Sequence, residues 1–313
     1  MADAFVSCPS CGQRGTPRLG PVPLTKLFAG RITDTAVLSG NLYRCDGCRL
    51  LFRWPRLSRE ETSRLYRVGD DGTLRYQELN RQDWAIAHRW LGESVSQERS
   101  ILDVGCFDGE FLNTLDAGWL RYGVERDPVA AHRAEKHGVT IVARDIADLT
   151  GAIPAERFGC VVAMDVIEHM EDPRSFLQQL VQMTLPGGTI IISSGDTNAW
   201  TWRFMGSRYW YCLFSDHISF INEPWCRAAA HEQGIEVSRL ERFSHADRTD
   251  LRFFYIDLVK NVIYRTSSRL FAFLRRCGLG GIDVQTHPEM IDSPPLWRTA
   301  RDHLIVCFRK KDR

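Results

Sequence analysis

Seven short apolar runs recur between Ser100 and Arg309, separated by stretches of helical or loop character: Ile101 to Val104, Tyr122 to Glu125, Thr140 to Ala143, Cys160 to Met164, Thr189 to Ser193, Ile235 to Arg242 and Leu304 to Arg309. Strands that alternate with helices pair through crossovers rather than hairpins, so the pattern predicts an α/β fold with a doubly wound, mostly parallel sheet. The span 243 to 303, between the last two strands, is too long for a hairpin and reads as a helical insertion. The main domain then covers 99–313, with that insertion at about 243–303.

Composition narrows the class. The 313 residues are 44% hydrophobic and 25% charged, as in a soluble globular protein. No stretch approaches the roughly 20 apolar residues of a membrane span. Met1 to Ser7 lack a basic segment followed by an apolar run, which sets the cytoplasm as the expected compartment. There the ten cysteines read as thiols or metal ligands, not a disulfide framework. The net charge of +1 divides unevenly, with eleven Lys or Arg and five Asp or Glu before residue 68, leaving −5 for the rest. That balance argues against a protein that lives on nucleic acid, although the basic N-terminal part could face a phosphate.

Four of the cysteines form two C-x2-C knuckles, Cys8-Pro-Ser-Cys11 and Cys45-Asp-Gly-Cys48. Each spacing turns two thiolates onto one ion, and two knuckles complete the tetrahedral set Zn²⁺ prefers. Four thiolates leave no open position, so such a zinc is structural. A redox dithiol would need a single C-x-x-C beside a βαβ pattern. The 33 residues between the knuckles exceed the usual gap and predict a loop or hairpin growing from the ribbon. Residues 1–57 are the expected zinc ribbon, and 58–98 a helical linker with Leu65, Tyr66, Trp84, Ile86 and Trp90 as buried candidates.

The first strand of the main domain runs into Asp103-Val-Gly105-Cys-Phe107-Asp-Gly109. Glycines at a strand-to-helix turn let a ligand approach the backbone, and the helix that follows favours negative charge. Glu125 stands twenty residues after Gly105, at the end of the second strand, where a carboxylate can accept both hydroxyls of a ribose. An adenosine-type ligand follows. An NAD site typically shows G-x-G-x-x-G and lacks an acidic residue like Asp103 before the turn.

These segments, with Arg144-Asp145-Ile146, Met164-Asp165-Val-Ile-Glu168-His169, Leu185-Pro-Gly-Gly-Thr-Ile190 and the ribbon stretch Cys45 to Pro55, resemble the class I S-adenosylmethionine-dependent methyltransferases. The resemblance is specifically to those members with an N-terminal zinc ribbon that act on sugars and other small metabolites. The resemblance covers most of residues 1 to 240 and implies a Rossmann-like methyltransferase sheet. It places Asp103, Gly105 and Gly109 around the methionine part of the cofactor, Glu125 on the ribose, Asp145 with Ile146 at the adenine, and Asp165 in the same pocket. Phe107 stands where many members carry glycine and crowds the loop.

Transfer from a sulfonium is an in-line displacement, and a base is needed only when the acceptor loses a proton. His169, after the fourth strand, and His217, after the fifth, are the candidates. Phe214-Ser215-Asp216-His217 resembles a modified form of the Tyr-His-Glu-His stretch of the sugar C-methyltransferases. Phe214 replaces the tyrosine, so O-methylation is expected over C-methylation, with Asp216 assisting His217 as general base. Nine aromatics between Ala199 and Trp225, against 11% overall, suit a sugar ring, a lipid chain or an aromatic lid.

Leu258 to Arg276 reads as a basic amphipathic helix with Val259, Val262, Ile263, Leu270, Phe273 and Leu274 on one face. It either packs on the domain with a solvated basic face or meets an anionic membrane surface; the latter would bring the enzyme to a lipid-linked glycan at the inner membrane face. The acceptor is expected to be a small molecule, sugar or lipid-linked glycan. Rival readings are an RNA-binding methyltransferase that grips the backbone with its ribbon and a non-catalytic scaffold that keeps the cofactor fold.

Overall fold

The computed structural model describes residues 6–29, 31–37, 40–67, 81–93, 98–149, 157–245, 250–279 and 291–312. Strands β1 (Val6–Ser7), β2 (Arg14–Pro21), β5 (Asn41–Cys45) and β6 (Leu51–Trp54) form an antiparallel ribbon. The hairpin β3 (Thr25–Phe28) and β4 (Arg31–Val37) fills the long gap between the knuckles. Helices α1 (Arg59–Arg67) and α2 (Gln82–Gly92) follow. Ser58 and Glu61 close a capping box at the start of α1: the Glu61 N–H donates to Ser58 Oγ at 3.2 Å, and the Ser58 N–H donates to Glu61 Oε2 at 2.9 Å. Ile86 and Trp90 of α2 are buried, while Leu65 and Trp84 are half-buried. Residues 68–80 and 94–97 of the expected linker and the side chain of Tyr66 lie outside the described set.

All seven expected strands of the main domain are present: β7 (Ser100–Val104), β8 (Leu120–Val124), β9 (Thr140–Ala143), β10 (Phe158–Met164), β11 (Thr184–Gly195), β13 (Ile235–Phe243) and β14 (His303–Lys310). Their spatial order is β13-β14-β11-β10-β7-β8-β9. The five strands from β7 to β11 run parallel, and β14 lies antiparallel to both β11 and β13. The period of two sorts the side chains into two cores. Leu102, Val104, Val161, Ala163, Ile190 and Ile192 face one cluster, whereas Ile101, Cys160, Val162 and Ile191 face another beneath α2. Strand ends feed α3 (Glu110–Asn113), α4 (Pro128–Lys136), α5 (Pro173–Met183), α6 (Trp200–Met205) and α7 (Glu223–Glu232). Asp127, Asp172 and Asn222 cap α4, α5 and α7, each with proline in the first turn.

The two-residue strand β12 (Ser219–Phe220) lies within the aromatic segment and joins the ribbon, not the main sheet, with Ser219 opposite Phe52 and Phe220 opposite Leu51. One sheet thus spans the boundary expected at residue 57.

Two expectations are corrected. The aromatic segment is chiefly core: Trp202, Tyr209, Tyr211, Phe220 and Trp225 are buried, and only Trp200 is largely exposed. Trp202 alone packs on Tyr209, Tyr211 and Phe220, so these rings fill the joint between ribbon and main domain. The insertion carries two helices rather than one, α8 (Leu251–Thr266) and α9 (Ser268–Arg276), divided at Ser267, whose hydroxyl caps α9 by accepting the Leu270 N–H. Of the apolar face expected either to pack on the domain or to meet a membrane surface, Val259, Val262, Leu270 and Phe273 are exposed.

Candidate active site and metal centre

The glycine turn after β7 has the backbone its sequence demands. Gly105 and Gly109 lie at φ +81° and +79°, and a Cβ on Gly105 would come within 2.7 Å of a Val166 methyl. Phe107 holds the same left-handed region at φ +49° with its side chain 48% exposed. The phenyl therefore leans outward, and the loop keeps a glycine-like course. Glu125 fastens that course: Oε2 accepts the Phe107 N–H at 2.8 Å and Oε1 the Asp127 N–H at 2.7 Å. Asp103 is buried below the turn, and burial, then the Glu125 charge, push its pKa up to about 7 against the pull of Arg81. Asp145 is exposed after β9 and opens the tight helical turn Ile146–Leu149 by accepting the Ala147 N–H at 3.0 Å. The Ile146 side chain packs into the core.

Asp165, at the end of β10, takes φ +54° and is pinned by Arg81, whose Nη2 lies 2.9 Å from Oδ2. The same guanidinium grips Asp83 through Nε at 3.0 Å and Nη2 at 2.6 Å. Ser193 Oγ also donates to Asp83, and His245 Nδ1 stands 3.9 Å from it. Burial opposes ionisation of Asp165, but Arg81 and neighbouring histidines outweigh it and hold the carboxyl below its usual pKa. Asp83, Asp165 and His245 could group around a metal ion, yet Arg81 already supplies the cation. Asp165 Oδ1 is nevertheless buried without a hydrogen-bond partner. Sequence reading missed Arg81, Asp83 and His245, which lie outside the motifs.

Three residues beyond Asp165, Glu168 starts a second cluster. Its buried carboxylate accepts the Tyr211 hydroxyl at 2.5 Å and the Ser194 hydroxyl at 3.0 Å. His169 and His217 meet edge to face, with centroids 4.9 Å apart. Asp216 serves His169, not His217 as expected: Oδ2 lies 3.2 Å from His169 Nδ1. Burial works against a charge on His169, but Asp216 wins and raises its pKa to about 9, while Asp216 is itself held well below the carboxylate range. His217 is 6% exposed. Burial and the adjacent imidazolium push it down to about 3, not to the working pH. Its Nδ1 lies 3.2 Å from the Tyr211 carbonyl oxygen. A neutral ring must donate there, which leaves Nε2 as an acceptor. Tyr211, hidden within the aromatic run, is buried with its hydroxyl committed to Glu168.

The ribbon reaches into this cluster. Arg53 is 1% exposed; Nε donates to the His217 carbonyl at 3.0 Å, and Nη2 to those of Cys212 and Phe214 at 2.7 and 3.0 Å. Arg56 donates to the carbonyls of Glu171 and Ile218. Part of the ribbon's positive charge is thereby spent inside the protein.

In the ribbon itself, the sulfurs of Cys8, Cys11, Cys45 and Cys48 lie within 4.8 Å of one another. Cys8 and Cys48 are 3.7 Å apart, Cys11 and Cys45 3.4 Å. A tetrahedral ion with bonds of about 2.3 Å sets its sulfurs about 3.8 Å apart, so the cluster has the dimensions of a four-thiolate zinc site and is too open for disulfides. N–H groups of Ser10 and Cys48 point at Cys8 and Cys45 sulfurs. Burial, the bond from Cys11 and the field of Cys48 raise Cys45 to about 11; four neighbouring thiolates need a cation. Ser10 also accepts Trp225 Nε1–H, tying the first knuckle to α7.

A parallel sheet with a carboxylate-lined glycine turn, an acidic residue closing the second strand and an acidic loop after the fourth defines a class I methyltransferase domain. In agreement, the family model described as "Methyltransferase domain" matches residues 76–240. The chain belongs to that family. Among curated relatives, the ubiquinone biosynthesis O-methyltransferase of Cereibacter sphaeroides is 34% identical over 107 residues, 31% of this chain and 42% of its own length. That of Methylococcus capsulatus is 28% identical over 156 residues, 46% of this chain and 65% of its own. The chain thus spans about half the length of these relatives. A solved SAM-dependent methyltransferase from Archaeoglobus fulgidus superposes with a TM-score of 0.49 at 16% identity, covering 74% of this chain and 94% of that one.

Proposed function

We propose that the protein transfers a methyl group from S-adenosylmethionine to a hydroxyl oxygen of a small-molecule, sugar or lipid-linked glycan acceptor. The supporting observation is the unbonded, buried Oδ1 of Asp165 beside an acidic glycine turn. Asp103, Glu125 and Asp165 crowd negative charge there, and Asp103 is driven toward protonation. Such a site suits a ligand with both an ammonium and a sulfonium. Asp103, Asp165 and the backbone from Gly105 through Phe107 to Gly109 would hold the methionine end, Glu125 the ribose, and Asp145 with Ile146 the adenine edge. The cofactor supplies, when bound, an electrophilic methyl group.

His217 takes the acceptor's proton on Nε2. An alcohol oxygen becomes strongly acidic as its bond to carbon forms, so a neutral imidazole suffices even with a pKa of about 3. Asp216 localises positive charge on His169, which keeps His217 uncharged and ready to accept. Tyr211 and Glu168 fix the wall behind the pair. The relatives' name, O-methyltransferase, supports oxygen as the methylated atom. Cys8, Cys11, Cys45 and Cys48 hold one structural zinc, and residues 1–57 act as a ribbon docked on the domain of 99–313.

Incubation of a metabolite pool with methyl-labelled cofactor, read by mass spectrometry, identifies the acceptor. With that acceptor, His217→Ala lowers turnover about a hundredfold and leaves cofactor affinity unchanged. Near-normal turnover of the variant would remove His217 from the mechanism.

A further inference from the structure

Helix α8 is inside out. Its buried residues are Asp257, Asn261 and Tyr264, and the Asp257 carboxylate accepts the backbone N–H groups of Arg298 and Thr299 at 2.8 and 3.2 Å. Asn261 donates to the Asp257 carbonyl, and Tyr264 Oη to that of Asp292. The opposite stripe, at i, i+4, i+8 and i+11, is apolar: Leu251, Tyr255, Val259 and Val262 are 71, 61, 54 and 41% exposed. A surface helix normally shows the reverse. Helix α9 buries Phe271 and Ala272 in the core beside Arg275, yet Leu270 and Phe273 stand 50 and 58% exposed. Scattered exposed apolar residues are ordinary, but stripes on consecutive helices mark a surface that meets something.

Charge decides what it meets. Residues 251 to 279 carry six Lys or Arg and one acid, Asp257, which is buried. Arg252, Arg269 and Arg276 are exposed among the apolar side chains. A two-fold contact with a second copy would set this positive face against itself. A nucleic acid would leave the aliphatic stripe in water. An anionic bilayer answers both properties, taking aliphatic side chains between its headgroups while phosphates meet the arginines. Beside α9, Leu24 of the ribbon, 74% exposed, lines a cleft of about 510 Å³ with Arg208, Tyr264 and Arg269. No helix among the described residues is long and apolar enough to cross a membrane.

We propose that α8 and α9 form a docking face that lays the protein on the surface of an anionic lipid bilayer. The inference is independent of the chemistry at His217, and its test needs no acceptor. Full-length, zinc-loaded protein is floated with vesicles of equal parts phosphatidylglycerol and phosphatidylcholine, and with phosphatidylcholine alone. Binding to the anionic vesicles only, weakened by high salt, is expected. Arg269→Gln and Arg276→Gln each lower the partition coefficient about fivefold, and Val259→Asp with Phe273→Asp abolishes binding at an unchanged melting temperature. The arginine variants keep the apolar stripe and serve as the readout should the double variant fold poorly. Equal binding to neutral vesicles, or none to either, overturns the proposal. So does a dimer in solution that Phe273→Asp dissolves, which would assign the face to a second copy of the chain.

Discussion

Replacing Arg53 with alanine should loosen the histidine loop while leaving the cofactor site intact. The side chain is a buried cation that holds three carbonyls of residues 212 to 217. Charge-assisted hydrogen bonds contribute about 1.5–3 kcal/mol each, a gross loss of about 4–9 kcal/mol. Relief of the buried charge offsets part of this; the desolvation that depresses the Arg53 pKa is the same cost. A net loss of about 3–5 kcal/mol remains, the size found when a buried charge network is broken. At about 2–4 °C per kcal/mol for a domain of this size, the melting temperature falls by roughly 10 °C. Because β6 pairs with β12 beside Arg53, the loss concentrates there. Amide exchange from Cys212 to Phe220 should accelerate about a hundredfold, the equivalent of about 3 kcal/mol, while calorimetry finds S-adenosylmethionine affinity within about threefold of wild type. Arg53→Lys keeps the charge but not the fork and falls between. Unchanged exchange across residues 214–220 in Arg53→Ala would refute the reasoning.

Metal analysis should find about one zinc per chain, and Cys45→Ser with Cys48→Ser should remove it and raise amide exchange in the same loop; retained metal would reject the site. Glu125→Ala, which loses the ribose acceptor and the clasp on the Phe107 N–H, should weaken S-adenosylmethionine binding roughly 10- to 100-fold by calorimetry, and equal affinity would exclude the assignment. Stability should also fall on acidification. His217 and His245 stay neutral in the fold down to about pH 3 and 4, whereas the unfolded chain protonates near 6.5, so below 6.5 each withdraws up to about 1.4 kcal/mol per pH unit. His169 has the opposite sign: raised to about 9, its contribution is full below 6.5 and is lost as pH rises through 9. Thermal melts should peak near neutrality, and a flat profile between pH 4.5 and 6.5 would contradict the buried neutral state.

The seven strands were legible because each is a local apolar run between turn residues, and the thiolate set because its spacing is a local property of two knuckles. What escaped depends on distant pairing. Arg81 reaches across 84 positions to Asp165, and Arg53 reaches beyond 160 to Phe214 and His217; no local pattern marks either. For α8 the periodicity identified an apolar face but not its direction. Asp257 turns inward, where its carboxylate accepts the Arg298 and Thr299 N–H groups, and Asn261 follows by donating to the Asp257 carbonyl. Tyr211 was visible only as one of nine aromatics, and its role comes from the carboxylate it faces.

The histidine pair shows how a correction changes the chemistry. Two rings with centroids 4.9 Å apart cannot both be charged without strong mutual repulsion, so the site must choose. Asp216, one residue before His217, turns its carboxylate to His169, while the Tyr211 carbonyl takes His217 Nδ1 and exposes no negative charge to it. Charge therefore settles on His169 and the vacant lone pair on His217 Nε2. Arg53 reinforces the choice from behind, since its guanidinium holds the His217 carbonyl and adds positive charge on that side. The ribbon thus contributes to the proposed base twice, through the β6–β12 pairing that places the loop and through a cation that keeps the imidazole neutral.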